Sequence, residues 1–399
     1  MKRDGTMGLQ KHINLFNYAL GSVFTHKSRT IAITTSLMIA IMVLGSMAFL
    51  TDGLEQEAEL SASFAPDITI QCLQGGRQVP IPLSYAQDIA RIADVEIVPR
   101  AWGYIYHHNE LYTVMGIDVK RMPIPKEIGF AISSGRFLES SDSGKALIGY
   151  SFARSFGIRA GERLQLYDQK MKPHEYTVVG IFDTKVQLYT ADLIVIPIED
   201  AVKFLELDND HATDLCVYLS DPTQTIAVAT KISNQLPNLR VLTRQVLRDA
   251  LLTAYGARSG FVSVVWFILL IAVVLVAWNH TSAVSTETRR EVGILKALGF
   301  SITDILEVRL LECVILGLFS ASVGIFLSIL FDVYLGAPVI SDFMLGWASV
   351  YPEFPLPVMI KLDTVATLYA VAVFPLLLGS LTPSWYSAIE EPDVAIRGV

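Results

Sequence analysis

Gly149-Tyr150-Ser151-Phe152-Ala153 has the outline of a nucleophile elbow, with a hydroxyl on the turn between a strand-type run and a helix-type run. An acyl-transfer enzyme exposes its serine in this way, but here the last position is Ala rather than Gly, and no histidine stands in an obvious partner motif. A plain turn into the helix SFARSFGI is the expected reading, with a membrane esterase using Ser151 as the remote one. His107-His108 sets two imidazoles side by side but lacks a second ligand pair at metal spacing, so no metal is expected there. Ser143-Gly144-Lys145-Ala146 lacks both the first glycine and the closing hydroxyl of a phosphate-cradling loop. If ATP is used, another chain binds it, and no cofactor is expected in this one. The remaining charged constellation is STETRREVGILKALGF (285–300), a run of helix formers between two uncharged apolar stretches.

Those stretches decide the class. The chain has 399 residues, 52% of them hydrophobic and 18% charged, and a mean hydropathy of +0.45. Uncharged runs at 31–50, 261–278, 313–331 and 364–382 each approach the roughly 20 residues that a helix needs to cross a bilayer. Lys2, Arg3, Lys11, Lys27 and Arg29 crowd the first 30 residues, and Arg289, Arg290, Lys296 and Arg309 the 279–312 loop; the 332–363 loop carries only Lys361. Basic flanks stay in the cytosol, so both termini are expected inside and residues 52–258 outside. The net charge is −8, most of it in 52–258, and an acidic exterior without a Lys/Arg cluster argues against nucleic acid. Cys72 and Cys216 could pair in an oxidising compartment or remain free and buried.

The expected fold is thus an α-helical membrane protein with four transmembrane helices and a large α/β extracytoplasmic domain between spans 1 and 2. Its parts are an amphipathic N-terminal helix (1–30), spans at 31–51, 259–280, 301–331 and 363–384, the exterior domain (52–258), a cytosolic helix (281–300), an exterior loop (332–362) and a cytosolic tail (385–399). Leu9, Ile13, Phe16 and Leu20 recur at helical spacing, as in a helix lying on the membrane surface or packed on a neighbouring subunit. Within the exterior domain, DITIQC, SYAQDIARIA and VEIVPRAW read as strand, helix and strand, and DLCVYLS, PTQTIAVATKISNQL and NLRVLT repeat that order. Two such βαβ units can pair into one α/β layer, with a β-rich insert at 103–213. Gly317, Ser320, Ala321, Gly324 and Ser328 form a stripe of small residues in the third span, a packing face for another span or another subunit.

On a helical wheel, Val292, Ile294, Leu295 and Leu298 fill one arc of 286–298 while Arg289, Arg290, Gly293 and Lys296 lie opposite. Glu287 and Glu291 fall inside the apolar arc. Carboxylates on such a face need partners, so it reads either as a surface docked on protein or as a solvated connector. Gly299 ends the helix, and Ser301-Ile302-Thr303-Asp304 is a capping box that starts the next, which leads into the third span.

The segment TETRREVGILKALGFSITDILEVRLLECVILGLFSASVGIFLS (286–328) resembles the signature region of the FtsX-like (MacB-type) permeases of ABC transporters, E-x-x-x-E-I-G-I-L-[RK]-A-[LM]-G followed by a span. SGRFLESSDSGKALIGYSFARSFGIRAGERLQL (134–166) resembles the family's exterior motif, and TPSWYSAIEEPDVAIRG (382–398) resembles its ending, with Pro383, Pro392, Ala395 and Arg397 at the motif positions. Trp385-Tyr386 and Glu391 depart from that ending. The resemblance implies that 286–298 is the coupling helix gripped by a cytosolic ABC ATPase, with Glu287, Arg290, Glu291, Gly293, Ile294, Leu295, Lys296, Leu298 and Gly299 as its contact and corner residues. It implies a non-catalytic subunit in a bacterial inner membrane, a second permease chain, identical or homologous, two ATPase copies holding ATP and Mg, contact with membrane lipids, and a periplasmic adaptor or acceptor. The function implied is mechanotransmission, driving export or extraction of an amphiphile such as a lipid or lipoprotein. The alternative is an FtsX-like regulator that activates an exterior cell-wall hydrolase and transports nothing.

Overall fold

The computed structural model describes residues 4–25, 27–108, 110–119, 131–183, 186, 190–255, 260–282, 286–344 and 356–389. In chain order the elements are α1 (Asp4–Thr25), α2 (Lys27–Ser63), β1 (Ile68–Gln74), β2 (Arg77–Val79), β3 (Ile81–Pro82), α3 (Ser84–Ile92), β4 (Glu96–His107), β5 (Glu110–Ile117), β6 (Ala131–Gly135), β7 (Lys145–Gly149), α4 (Tyr150–Phe156), β8 (Arg163–Tyr167), β9 (Pro173–Asp183), β10 (Leu193–Pro197), α5 (Ile198–Phe204), β11 (His211–Ala212), β12 (Asp214–Tyr218), α6 (Thr225–Gln235), β13 (Leu239–Thr243), α7 (Arg244–Tyr255), α8 (Gly260–Ser282), α9 (Thr286–Ala297), α10 (Ile302–Leu335), α11 (Ile340–Met344) and α12 (Leu362–Ile389). They form two compact units. One is helical (Met1–Gly53, Ser259–Ser341, Val358–Val399) and the other is α/β (Leu54–Arg258, Asp342–Pro357).

Among the described residues, three stretches are long and apolar enough to cross a membrane: Thr30–Ser63 of α2, Ile302–Leu335 and Leu362–Ser380 of α12. The fourth expected stretch is helical as α8 (Gly260–Ser282), with Ser263–Leu275 as its apolar part among the described residues. Ile41, Leu44 and Phe49 of α2 meet Ala321 and Ile325 of α10 and Leu368 and Ala372 of α12 in one buried cluster. A second joins Ile33 and Leu37 of α2 to Val273 of α8, Cys313 of α10 and Leu376 of α12. The small-residue stripe is consumed within this packing. A Cβ on Gly324 would stand 2.9 Å from Met38 O and 2.9 Å from Ile41 Cβ, and one on Gly317 3.0 Å from Val373 Cγ2. Ser320, Ala321 and Ser328 are fully buried. These residues therefore bring α2 and α12 close to α10 in the same chain, and they offer no surface to a second subunit. Ser46 of α2 donates to Asp332 of α10, while Lys361 reaches Asp52 at 3.0 Å.

In the α/β unit, β13, β1, β12 and β4 stand in that order as an antiparallel layer, with α3 and α6 packed on one face through Ile89, Val228, Ala229 and Ile232. β1 and β4 run parallel with β12 between them, and β12 and β13 run parallel with β1 between them. The two βαβ units interleave, which is the split-βαβ arrangement. Asp221 caps the second unit's helical segment, accepting from Thr223 N–H at 3.0 Å. The insert continues the same sheet because β4 is long: Glu96–Arg100 pair with β12 and Ala101–His107 with β5. The order then runs β5, β10, β7, β9, β6, with α4 and α5 over one face around Tyr112, Phe152 and Phe204. Cys72 and Cys216 are free, on neighbouring strands, and burial pushes the Cys216 thiol up to about 12.

Candidate functional site

The constellations that could have been catalytic are structural. Ser151 is the second residue of α4, buried and helical, and it is absent from the positive-φ residues, so the exposed, strained elbow of a hydrolase is missing. His107 and His108 pack on Phe156 at 5.0 and 5.3 Å, and burial lowers the pKa of His107, so this pair serves an aromatic cluster. Gly144 N–H donates to Asp200 at 2.7 Å and Lys145 Nζ to Asp142 at 2.5 Å, so the basic loop spends its donors on carboxylates. Among the described residues, the one group at metal-ligand spacing is Asp208, Asp210 and His211, on the surface.

The other predicted site is a corner between two helices. Gly299 sits at φ +93°, a left-handed conformation that costs a side chain-bearing residue energy. Its N–H donates to Lys296 O at 2.9 Å and that of Phe300 to Leu295 O at 3.1 Å, the two bonds of a Schellman ending. Ser301 then caps α10: its Oγ accepts from Asp304 N–H at 3.3 Å, and Asp304 Oδ2 accepts from Ser301 N–H at 3.2 Å. The two helices are thus joined through four residues, Leu298 to Ser301, whose bonds satisfy terminal donors and acceptors of both.

The apolar arc divides between inside and outside. Val292 packs with Ile305 and Phe300, and Gly293 and Leu295 are also buried. Ile294 is 48% exposed and Leu298 71%, four residues apart on one face, with Lys296 half-buried. Glu291 finds its partner in this chain: its carboxylate lies 3.6 Å from Arg309 Nη2, and Arg309 Nη1 is 2.8 Å from Glu312. From the far side, α1 holds the same two turns of α10. Lys11 Nζ reaches Asp304 Oδ1 at 2.7 Å, His12 Nδ1 lies 2.5 Å from Glu307 Oε1, and Leu15 and Ala19 are buried against Val308. Ile13, Phe16, Leu20 and Phe24 of α1 remain exposed. Of Glu287, Arg290 and Pro383 the structure describes only the helical backbone, and Pro392, Ala395 and Arg397 lie outside the described residues. Arg309 and Lys11, expected from the sequence only as charges that set topology, are the partners of Glu291 and Asp304. The available signal was a run of alternating charge, Glu307, Arg309 and Glu312, on an otherwise apolar helix.

The Ser301 cap, the Glu291–Arg309 ion pair and the Val292–Ile305 contact tie α9 to α10. Residues 30–235, just over half of the chain, match the MacB-like periplasmic core domain, and residues 262–392 match the FtsX-like permease C-terminal region. The chain belongs to the MacB/FtsX-like permeases of ABC transporters. The uncharacterized ABC transporter permease MJ1507 of Methanocaldococcus jannaschii is 24% identical to this permease over 337 residues, 79% of this chain and 83% of that one. The lipoprotein-releasing system transmembrane protein LolC of Neisseria meningitidis is 23% identical over 277 residues, 63% of this chain and 64% of LolC. The periplasmic region of MacB from Actinobacillus actinomycetemcomitans aligns with 46% of this permease and 91% of its own length at 11% identity and a TM-score of 0.34. The α9–α10 corner lies wholly inside the FtsX-like match.

Proposed function

We propose that this permease is the membrane subunit of an ABC transporter in which a separate cytosolic ATPase grips α9 and the resulting movement drives export or extraction of an amphiphilic substrate. The observation that carries the reading is the division of α9: Ile294 and Leu298 face outward while Val292 packs on Ile305 and Glu291 pairs with Arg309 of α10. A helix so divided has one face for a partner and one for relay. ATP-driven closure of two ATPase copies would push α9, and α10 would follow because the corner between them is capped and ion-paired. The proposed membrane arrangement has four spans, α8 being the fourth, with both termini in the cytosol of a bacterial cell, the α/β unit in the periplasm and a second permease chain alongside. ATP and Mg belong to the ATPase; lipids and a periplasmic adaptor or acceptor complete the list of partners. The regulator reading, activation of an exterior hydrolase without transport, draws support from the FtsX-like match of residues 262–392 and shares the same corner.

Reconstitution with the partner ATPase tests the docking face. Ile294→Asp and Leu298→Asp are expected to lower permease-stimulated ATP hydrolysis at least about tenfold, equivalent to roughly 1.4 kcal/mol of docking, with insertion unchanged. Leu295→Asp acts differently, because Leu295 is buried, and is expected to destabilise the corner itself. Full stimulation in both outward-face variants would sink the assignment.

A further inference from the structure

The face of the sheet opposite α4 and α5 is open enough to hold a cavity of about 450 Å³. Strand alternation aims it: the register pairs Trp102 with Met115 and Tyr104 with Thr113, and β10 sets Leu193 beside Thr113, so all five share one face and all five line the cavity. Phe64, just past the end of α2, and Leu247 of α7 line it as well. A volume in the range of about 300–1,000 Å³, mainly apolar with a few placed polar groups, is that of a small-molecule site.

The polar groups differ in how far they are satisfied. Arg100 and Asp214 form a two-pronged pair at 2.9 and 2.7 Å, and Trp102 Nε1 donates to the same carboxylate at 2.8 Å. Arg244 pairs with Asp67 at 3.0 Å. Asp192 accepts from Thr113 Oγ1 at 2.7 Å, and among the described residues no Lys, Arg or His stands at ion-pair distance from it. Burial raises its pKa, opposed by the Thr113 hydrogen bond. An ammonium group brought in by a ligand would supply a counter-charge where water does so poorly.

We infer that this cavity binds a cationic amphiphile, its ammonium against Asp192 and its apolar body along Trp102, Met115 and Leu193. As a statement of substrate class the inference rests on the transporter reading; as a binding site it does not need it.

The test is photolabelling of the full-length permease in lipid nanodiscs with three dodecyl probes carrying a terminal diazirine, with trimethylammonium, maltoside or sulfate heads. Modified peptides are mapped by mass spectrometry. The ammonium probe is expected to label cavity peptides at least about tenfold more than the maltoside, with the sulfate weakest. Asp192→Asn keeps the shape and the Thr113 hydrogen bond and is expected to bring the ammonium probe down to the maltoside level. Leu247→Trp, which fills the cavity from α7, is expected to reduce labelling by all three. Labelling of α10 should be equal in all proteins and shows that the variants are folded and the probes present. Equal cavity labelling by the three heads, indifference to Asp192→Asn, or no cavity labelling in the wild type, as when a second copy covers this face, would each overturn the inference. ATPase stimulation in the α9 variants is measured separately, so a failed binding site and a failed coupling helix give different results.

Discussion

Asp142 shows how a residue that looks peripheral in the sequence becomes central in the structure. Its carboxylate accepts from both Arg136 nitrogens at 2.8 and 3.0 Å, from Lys145 at 2.5 Å and from Glu139 N–H at 2.9 Å. The Arg136 guanidinium, backed by Lys145 and the Glu139 amide, holds this carboxyl well below the usual carboxylate range despite burial. A depressed folded-state pKa gives stability that is fully present above the unfolded value near 3.9 and is lost as pH falls through the folded one. Asp142→Asn is therefore expected to cost about 1–2 kcal/mol at pH 7, a figure discounted for the 40% exposure of the Arg136 side chain. The gap in protease resistance between wild type and variant should hold from pH 8 to about 5 and narrow below about 4; a gap that widens on acidification would contradict this. Lys145 had been legible only as part of an incomplete phosphate loop, because a sequence shows which groups need partners and not which partners fold delivers. Glu291 makes the same point. Its need for a cation was legible from its place among Val292, Ile294 and Leu295, whereas Arg309 becomes its neighbour only through the turn at Gly299.

At the scale of elements, local signals read well and partners read poorly. The Ser301–Asp304 box, the stop at Gly299 and the cap at Asp221 are all contained within a few residues, and each stands where local chemistry puts it. The echo of strand, helix and strand at the two ends of the α/β unit was likewise visible as periodicity; its interleaving depends on strand order, which periodicity does not carry. α2 runs to Ser63, well past the apolar stretch ending near residue 50, because hydropathy marks the span whereas helix-forming residues such as Leu54, Glu55, Glu57 and Leu60 set the helix. The stripe from Gly317 to Ser328 announced close packing without naming the partner, which is α2 on one side and α12 on the other. Gly324→Val puts branched methyls against the Met38 carbonyl and the Ile41 side chain, where even a Cβ stands at 2.9 Å. It should force α10 from α2 at a cost of about 1–3 kcal/mol, read as a lower thermal midpoint of the detergent-solubilised permease. An unchanged midpoint would mean that the two helices are not in this contact.

For the whole molecule, the family follows from matches over residues 30–235 and 262–392, and the proposed coupling from the division of α9 between the exposed Ile294 and Leu298 and a face packed on α10. On the proposed reading the inward residues of α9, Val292 and Glu291, pass the movement on, and the outward ones, Ile294 and Leu298, meet the ATPase. The central claim is that Leu298 faces an ATPase. A photoactivatable residue in place of Leu298, cross-linked in native membranes and analysed by mass spectrometry, tests it directly. The account predicts one dominant adduct with a polypeptide carrying a nucleotide-binding P-loop, lost when the probe is moved to buried Val292. Adducts with lipid alone, or with polypeptides lacking a P-loop, from a chain that still inserts normally, would contradict it.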